Sequence, residues 1–344
     1  MLQKNEKTRF VELSAKIESG IDLNNVEASS LFGFLRTESD VARLTSLLEA
    51  WIRKGYSVEE IASCAGVLRR EVRRVECSHE VFIDVVGTGG SRSKTFNVST
   101  AAAFAVSGAG LPVAKHGNRA ASSRTGSADA IAELGIELSA SADTAARSLE
   151  KHAICFMFAP HFHNLTKELA EARRAVGRPT IFNLLGPAAN PAGAPFQLIG
   201  IWDGSKAREY GEALRKLGTK RTWIVHGKDG LDEITLNGAT TVTEVTENGI
   251  DEFEISPSDF GLREASIDGL SVRTPSESVD VILEVLNCYD DGPARDLVAM
   301  NAGAALYIAG LADDLKDGLA MAEESIDSGE ALEKLRLLAE EARK

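Results

Sequence analysis

The chain changes texture at Val81, and that change constrains its fold more than any other feature. Before Val81, apolar residues recur at helical spacing in Leu13 to Ser19, Val26 to Phe34, Asp40 to Lys54 and Ser57 to Arg70, and no strand-like run occurs. Gly20, Gly55 and the capping residues Asn24 and Ser57 punctuate these segments. After Val81, short apolar runs recur at Phe82–Val86, Pro112–Ala114, Ile154–Phe158, Gln197–Trp202 and Thr222–Val225. Helical stretches fall between most of them, at Ser99–Ser107, Ser127–Leu134, Leu165–Val176 and Ser205–Leu217. Strand–helix alternation with short loops predicts an α/β fold, a mainly parallel sheet flanked by helices, preceded by a small all-helical domain. The alternation in Thr241–Val245 and Phe253–Ile255 predicts a short antiparallel excursion, after which helices return from about Pro275. The last, Glu330 to Arg343, reads as a solvated, amphipathic closing helix.

Charge excludes several classes of partner. The formal net charge of −13 argues against nucleic acid and anionic membrane surfaces, which both need a basic face. No run of about 18 apolar residues marks a membrane-spanning helix. Met1 to Arg9 is charged and has no signal-peptide apolar stretch. Cys64, Cys77, Cys155 and Cys288 are widely spaced, with no Cys-x-x-Cys pair. The expected setting is reducing and cytoplasmic.

Within this acidic chain, the 44 residues between Asp84 and Asp129 contain no Asp or Glu, although 51 acids in 344 residues predict about six or seven there. The interval carries Arg92, Lys94, Lys115, Arg119 and Arg124, with His116. A buried apolar helix could account for Ala101–Ala109, but the loops on either side lack acids too. An anionic ligand is the physical use for such a region. Its first half, Gly87-Thr88-Gly89-Gly90-Ser91 onward to Thr100, joins a strand to a helix, where glycines and free helix N–H groups favour an oxyanion. It fits neither the Walker loop nor the dinucleotide fingerprint. The second half, Lys115 to Ser127, repeats the design: short strand, polar loop, and a helix capped by Ser127. Two such turns at the carboxyl ends of strands can face one crevice. Farther on, Asp232-Glu233 follows the strand Trp223–Val225 and offers hard oxygen ligands for Mg²⁺ beside phosphates.

These segments, with Thr180-Ile181-Phe182-Asn183-Leu184-Leu185-Gly186-Pro187 and Arg295 to Tyr307, resemble the anthranilate phosphoribosyltransferase family in order and spacing along nearly the whole chain. The resemblance implies a nucleoside phosphorylase/phosphoribosyltransferase-like fold. Its small helical domain would comprise residues 1–76, completed by a helical insertion near 163–187, and residues 77–344 would form the α/β domain. It implies Mg²⁺, the substrates phosphoribosyl pyrophosphate and anthranilate, and a homodimer contacting through the helical domains. By position, Gly87, Thr88, Gly89, Gly90, Ser91, Thr95, Asn97, Ser99, Thr100, Lys115 and Ser127 would hold phosphoribosyl pyrophosphate. Gly87, His116, Asn118, Arg173, Gly186 and Pro187 would line the anthranilate path, and Ser99, Asp232 and Glu233 would bind metal. No covalent catalytic residue is expected.

Three departures from the family pattern stand out. Ser91 and then Arg92 follow Gly-Thr-Gly-Gly where Asp is usual. Asn164 follows His163 where proline is usual. Arg178-Pro179 replaces an apolar-Arg pair. The competing readings are a related phosphoribosyltransferase or nucleoside phosphorylase with another acceptor, and a non-catalytic relative that binds nucleic acid.

Overall fold

The computed structural model describes residues 2–91, 95–119 and 125–343; Arg92, Lys94 and Arg124 of the acid-free interval lie outside the described residues. Four helices open the chain: α1 (Leu2–Glu18), α2 (Asn25–Leu35), α3 (Val41–Lys54) and α4 (Val58–Glu71). Asn24 and Ser57 each close a capping box, with Glu27 and Glu60 respectively. Glu60 is fully buried and reaches further. Its carboxylate accepts from Leu23 N, Trp51 Nε1 and Lys54 Nζ, tying α4 to α3 and to the α1–α2 connection. The apolar stripe Leu44, Leu47, Leu48 and Trp51 of α3 is buried, at about 1.5–3 kcal/mol for each large side chain.

The strands are β1 (Ile83–Gly87), β2 (Val113–Gly117), β3 (Ile154–Phe158), β4 (Phe196–Gly200), β5 (Arg221–Gly227), β6 (Thr240–Thr246) and β7 (Gly249–Ile255). Among the described residues they form one sheet in the order β3-β2-β1-β4-β5-β6-β7. The pairs from β3 through β5 are parallel, whereas β5–β6 and β6–β7 are antiparallel, the excursion that the period-two alternation predicts.

Both faces of the sheet are covered, as a parallel sheet requires. Ile83, Val85, Leu198, Trp223 and Val225 point into a core shared with α5 (Val98–Gly108), α6 (Ser127–Glu133), α12 (Pro275–Leu286), α13 (Pro293–Ile308), α14 (Leu315–Asp327) and α15 (Glu330–Ala342). Their neighbours Val86, Ile199 and Ile224 point the other way, into a core shared with α2–α4, α9 (Lys167–Val176), α10 (Ile181–Ala188) and α11 (Ala207–Lys216). The opening helices therefore pack on the sheet through α10 and α11. Two further helices, α7 (Ala142–His152) and α8 (Ala159–Phe162), flank β3.

Three expectations need correction. The second turn begins later than its apolar run suggests: Lys115, His116 and Gly117 are strand residues of β2, and all three are buried. Polar side chains hid the strand because their partners come from distant segments. Second, α6 is capped at Gly126, with Ser127 already its first helical residue; the Asp129 carboxylate accepts from the Gly126 N–H at 3.0 Å. Third, α15 is more than a solvated closing helix, since Ala331, Leu335, Leu338 and Ala339 are buried in the main core.

The chain leaves β1 toward β2 on one side and later returns to β4 on the other. That reversal puts a crevice at the carboxyl ends of the central strands, where open α/β sheets bind ligands.

Candidate active site

One cavity occupies this crevice, and the glycine-rich turn after β1 forms its floor. Gly89 and Gly90 have φ of +67° and +89°, which favours glycine. A Cβ on Gly90 would run into the Pro179 ring, so Pro179 seals this turn from the α9–α10 connection. Thr88 stitches the turn to β4: its hydroxyl donates to Gly200 O at 3.0 Å and accepts from Trp202 N at 3.2 Å. Asn183 Nδ2 on α10 donates to Thr88 O at 2.8 Å. At the start of α5, Asn97 makes no side-chain cap; its Oδ1 accepts from Ser278 Oγ on α12 at 2.8 Å.

Beside this turn stand Asp232 and Glu233, half-buried at the cavity wall. Gly200 allows this approach, because any Cβ there would overlap the Asp232 carbonyl. Asn301 on α13 fixes the following residue by bonding both main-chain groups of Ile234. Glu233 Oε1 accepts from Ser99 N at 3.2 Å. Desolvation raises the pKa of both carboxyl groups, and Asp232 pushes Glu233 further upward. Two adjacent carboxylates that repel each other in this way favour a cation between themselves and the open cavity. Among the described residues no three His, Cys, Asp or Glu side chains form a metal cage. The two carboxylates at the cavity wall offer hard oxygen ligands, which suit a hard cation that also keeps water and ligand oxygens, as Mg²⁺ does.

Between these walls, β2 supplies Lys115 and His116. Lys115 is 3% exposed; its ammonium donates to Val85 O at 2.6 Å and to Ser99 Oγ at 3.3 Å. Burial pulls its pKa down, while Asp84 and Glu233 hold it up. His116 Nδ1 lies 3.1 Å from Gly186 O and its Nε2 lies 3.2 Å from His163 Nε2. A carbonyl can only accept, so His116 carries its proton on Nδ1, and His163 must donate from Nε2. Burial drives both histidines toward the neutral form, His163 to about 4.

The other end of the cavity is built by α9, α10 and the β3–α9 connection. Arg173 faces it, its guanidinium 5.0 Å above the centre of the Phe182 ring. Burial lowers its pKa to about 10, with no carboxylate among the described residues to oppose the shift. Asn164 takes φ +30°, which a proline ring fixed near −65° could not adopt. The backbone seen here therefore does not admit the proline usual at this position.

Nearly all the residues singled out from sequence meet in this cavity: Gly87, Thr88, Gly90, Ser91, Thr95, Asn97, Ser99, Lys115, His116, Asn118, Ser127, Arg173, Gly186, Pro187, Asp232 and Glu233. Gly89 and Thr100 are not on its walls; Thr100 is fully buried, and its hydroxyl has no hydrogen-bond partner among the described residues. Sequence reasoning missed Asp84, Asn183, Asn190, His163 and Phe182. Asp84 carried a signal as the last acid before the acid-free interval, and Phe182 and Asn183 lay in a segment that carries the family resemblance, without a role assigned.

Residues 79–332 match the profile of a family described as "Glycosyl transferase family, a/b domain". The chain is 43% identical over 325 residues to the anthranilate phosphoribosyltransferase of Moorella thermoacetica, covering 94% of this chain and 96% of that protein. The corresponding protein of Anaeromyxobacter dehalogenans is 45% identical over 325 residues with the same coverage. The crystal structure of anthranilate phosphoribosyltransferase from Thermus thermophilus matches with a TM-score of 0.88 at 36% identity, covering 96% of this chain and 99% of that one. The Saccharomyces cerevisiae enzyme in complex with PRPP and Mg matches at 0.88 and 30% identity, covering 97% and 98%. Likeness of this extent, in sequence and in fold, places the chain in the anthranilate phosphoribosyltransferase family.

Proposed function

We propose that this protein transfers the phosphoribosyl group of phosphoribosyl pyrophosphate to the amino group of anthranilate and releases pyrophosphate, a step of tryptophan biosynthesis. The observation that carries this reading is the polarity of a single cavity. Glycine turns, Lys115 and the Asp232–Glu233 pair stand at one end, and the Arg173 guanidinium, with no carboxylate partner among the described residues, stands at the other. The first end suits a magnesium diphosphate and the second suits a benzoate.

In this reading the turn Gly87–Ser91, Thr95, Asn97, Ser99, Lys115 and Ser127 hold the donor. Asp232 and Glu233, with Ser99, hold Mg²⁺, which when bound neutralises charge on the diphosphate. Arg173 grips the anthranilate carboxylate, and Asn118, His116, Gly186 and Pro187 line its path. An aromatic amine is already neutral at pH 7, so its nitrogen needs orientation more than deprotonation. The chain's residues place that nitrogen against the anomeric carbon, and loop N–H groups with Lys115 stabilise the departing diphosphate. No side chain forms a covalent intermediate.

The helices α1–α4 with α9 and α10 serve as a small domain on the α/β body, and a homodimer forms through it. The exposure of Val11, Ile21 and Val26 supports that contact. Four free cysteines support a reducing, cytoplasmic setting; no described helix is long and apolar enough to cross a membrane. The test is loss of anthranilate fluorescence on adding phosphoribosyl pyrophosphate and Mg²⁺, with substituted benzoates and nucleobases alongside. Turnover of a nucleobase but not anthranilate would reject the acceptor.

A further inference from the structure

We propose that Asp84, buried in β1 behind the cavity, is the positioning residue that aims Lys115 and His116 into it. The two central strands are not fully paired. β1 registers with β4 at every position from Ile83/Phe196 to Gly87/Gly200, yet with β2 only at Ile83/Val113. Beyond that pair, side chains take over the ladder. Asp84 Oδ1 accepts from His116 N at 3.1 Å, and Lys115 Nζ donates to Val85 O at 2.6 Å. Asn190, from the α10–β4 connection, donates to Asp84 Oδ2 at 2.7 Å and to Ala114 O at 2.9 Å. Buried main-chain groups must find partners, and here a polar wedge supplies them in place of the neighbouring strand.

At the crevice end of β1 and β2 this wedge stands where strand-to-strand register would continue. Successive strand residues face opposite sides, so Lys115 reaches Ser99 on the α5 side, while His116 reaches Gly186 on the α10 side. One carboxylate thereby sets one residue toward each end of the cavity. It is also a buried negative charge that acts on the Lys115 ammonium together with Glu233. The inference rests on the transferase reading only for what Lys115 and His116 touch.

Asp84→Asn keeps an oxygen for His116 N–H but removes the charge and sets one amide against another at Asn190. Asn190→Ala loosens Asp84 without altering its charge. By calorimetry, the affinity of the folded full-length protein for inorganic pyrophosphate, with and without Mg²⁺, should fall about tenfold in Asp84→Asn and about threefold in Asn190→Ala, typical of one charge-assisted contact. The double variant should bind no worse than Asp84→Asn alone, because the two act as one unit. The turnover number should fall in the same order, and KM for anthranilate should rise about threefold, because His116 lines the acceptor path while the Arg173 grip is intact. Variants that melt lower but bind pyrophosphate like the wild type would overturn the proposal, as would strictly additive losses. If Asp84→Asn does not fold, Asn190→Ala decides. A wild type that binds pyrophosphate without turning over anthranilate would refute the functional reading and leave the calorimetry on Asp84 valid.

Discussion

The Ser91 hydroxyl donates a hydrogen bond to Gly230 O at 3.1 Å, joining the glycine turn after β1 to the turn that carries Asp232 and Glu233. An ionised aspartate, the residue usual in the family, cannot donate, so this contact belongs to the serine. Ser91→Asp should break it and add a carboxylate beside Asp232. The expected outcome is a several-fold lower Mg²⁺ concentration at half-maximal rate, since each added hard oxygen charge raises affinity for the ion. An Mg²⁺ titration of both proteins at saturating substrates checks this; superimposable profiles would count against it.

Arg173 should govern the acceptor and not the donor. Arg173→Lys retains the charge but loses the planar fork and the stacking on Phe182. KM for anthranilate should rise about 10- to 100-fold, as for loss of a bidentate charged contact, while KM for phosphoribosyl pyrophosphate stays unchanged. Initial-rate measurements with each substrate varied in turn separate the two. Equal rises in both would remove Arg173 from the acceptor end.

Gly200 is the point where the carboxylate turn rests on β4. Gly200→Ala must push the Asp232 backbone away. Overpacking of this kind typically costs about 1–3 kcal/mol. Thermal unfolding should show that loss, and Mg²⁺ should activate the variant less well. A variant with wild-type stability would mean that the turn can shift freely.

Acid should weaken the fold through the paired histidines. Burial, with Arg36 nearby, holds His163 down at about 4 against an ordinary 6.5, so the unfolded chain takes up a proton that the folded one refuses. This stability is fully present above pH 6.5 and is lost as pH falls toward 4. For His163 it amounts to about 3 kcal/mol. Asp84 works in the opposite sense: burial raises it to about 6, and protonating it over the same range relieves a penalty. Comparing wild type with His163→Gln isolates the histidine. Their melting temperatures should differ by an amount that shifts in favour of the variant below pH 6.5, and a constant difference from pH 7.5 to 4.5 would refute the assignment.

Much of the fold is written in local patterns. The period of the apolar residues marks most helices and strands, because burial of one face repeats at 3.6 or 2.0 residues whatever the surroundings. Asn24 and Ser57 announce their helices because a cap acts on its own first turn. The local signal fails where partners are remote. β2 continues through Lys115 and His116 because Val85, Ser99, Asp84 and Gly186 supply their bonds. Likewise α7 offers only Ala145, Ser148 and Leu149 as buried residues, too thin a stripe to stand out in the sequence.

By itself the sequence determined the kinds of groups available: glycine turns, an interval without acids and one carboxylate pair, with the family resemblance adding one arginine for a benzoate. Only the tertiary structure decided that Asp84, Asn190, His163 and Phe182 belong with them. Each acts through a side chain or main-chain atom far away in the chain, and no local periodicity encodes such a contact. The same holds for Arg119, a cation of the acid-free interval that turns out to be paired with Asp129 at 3.0 Å. Residue types and spacing set what chemistry is possible; packing of the two sheet faces sets which groups meet.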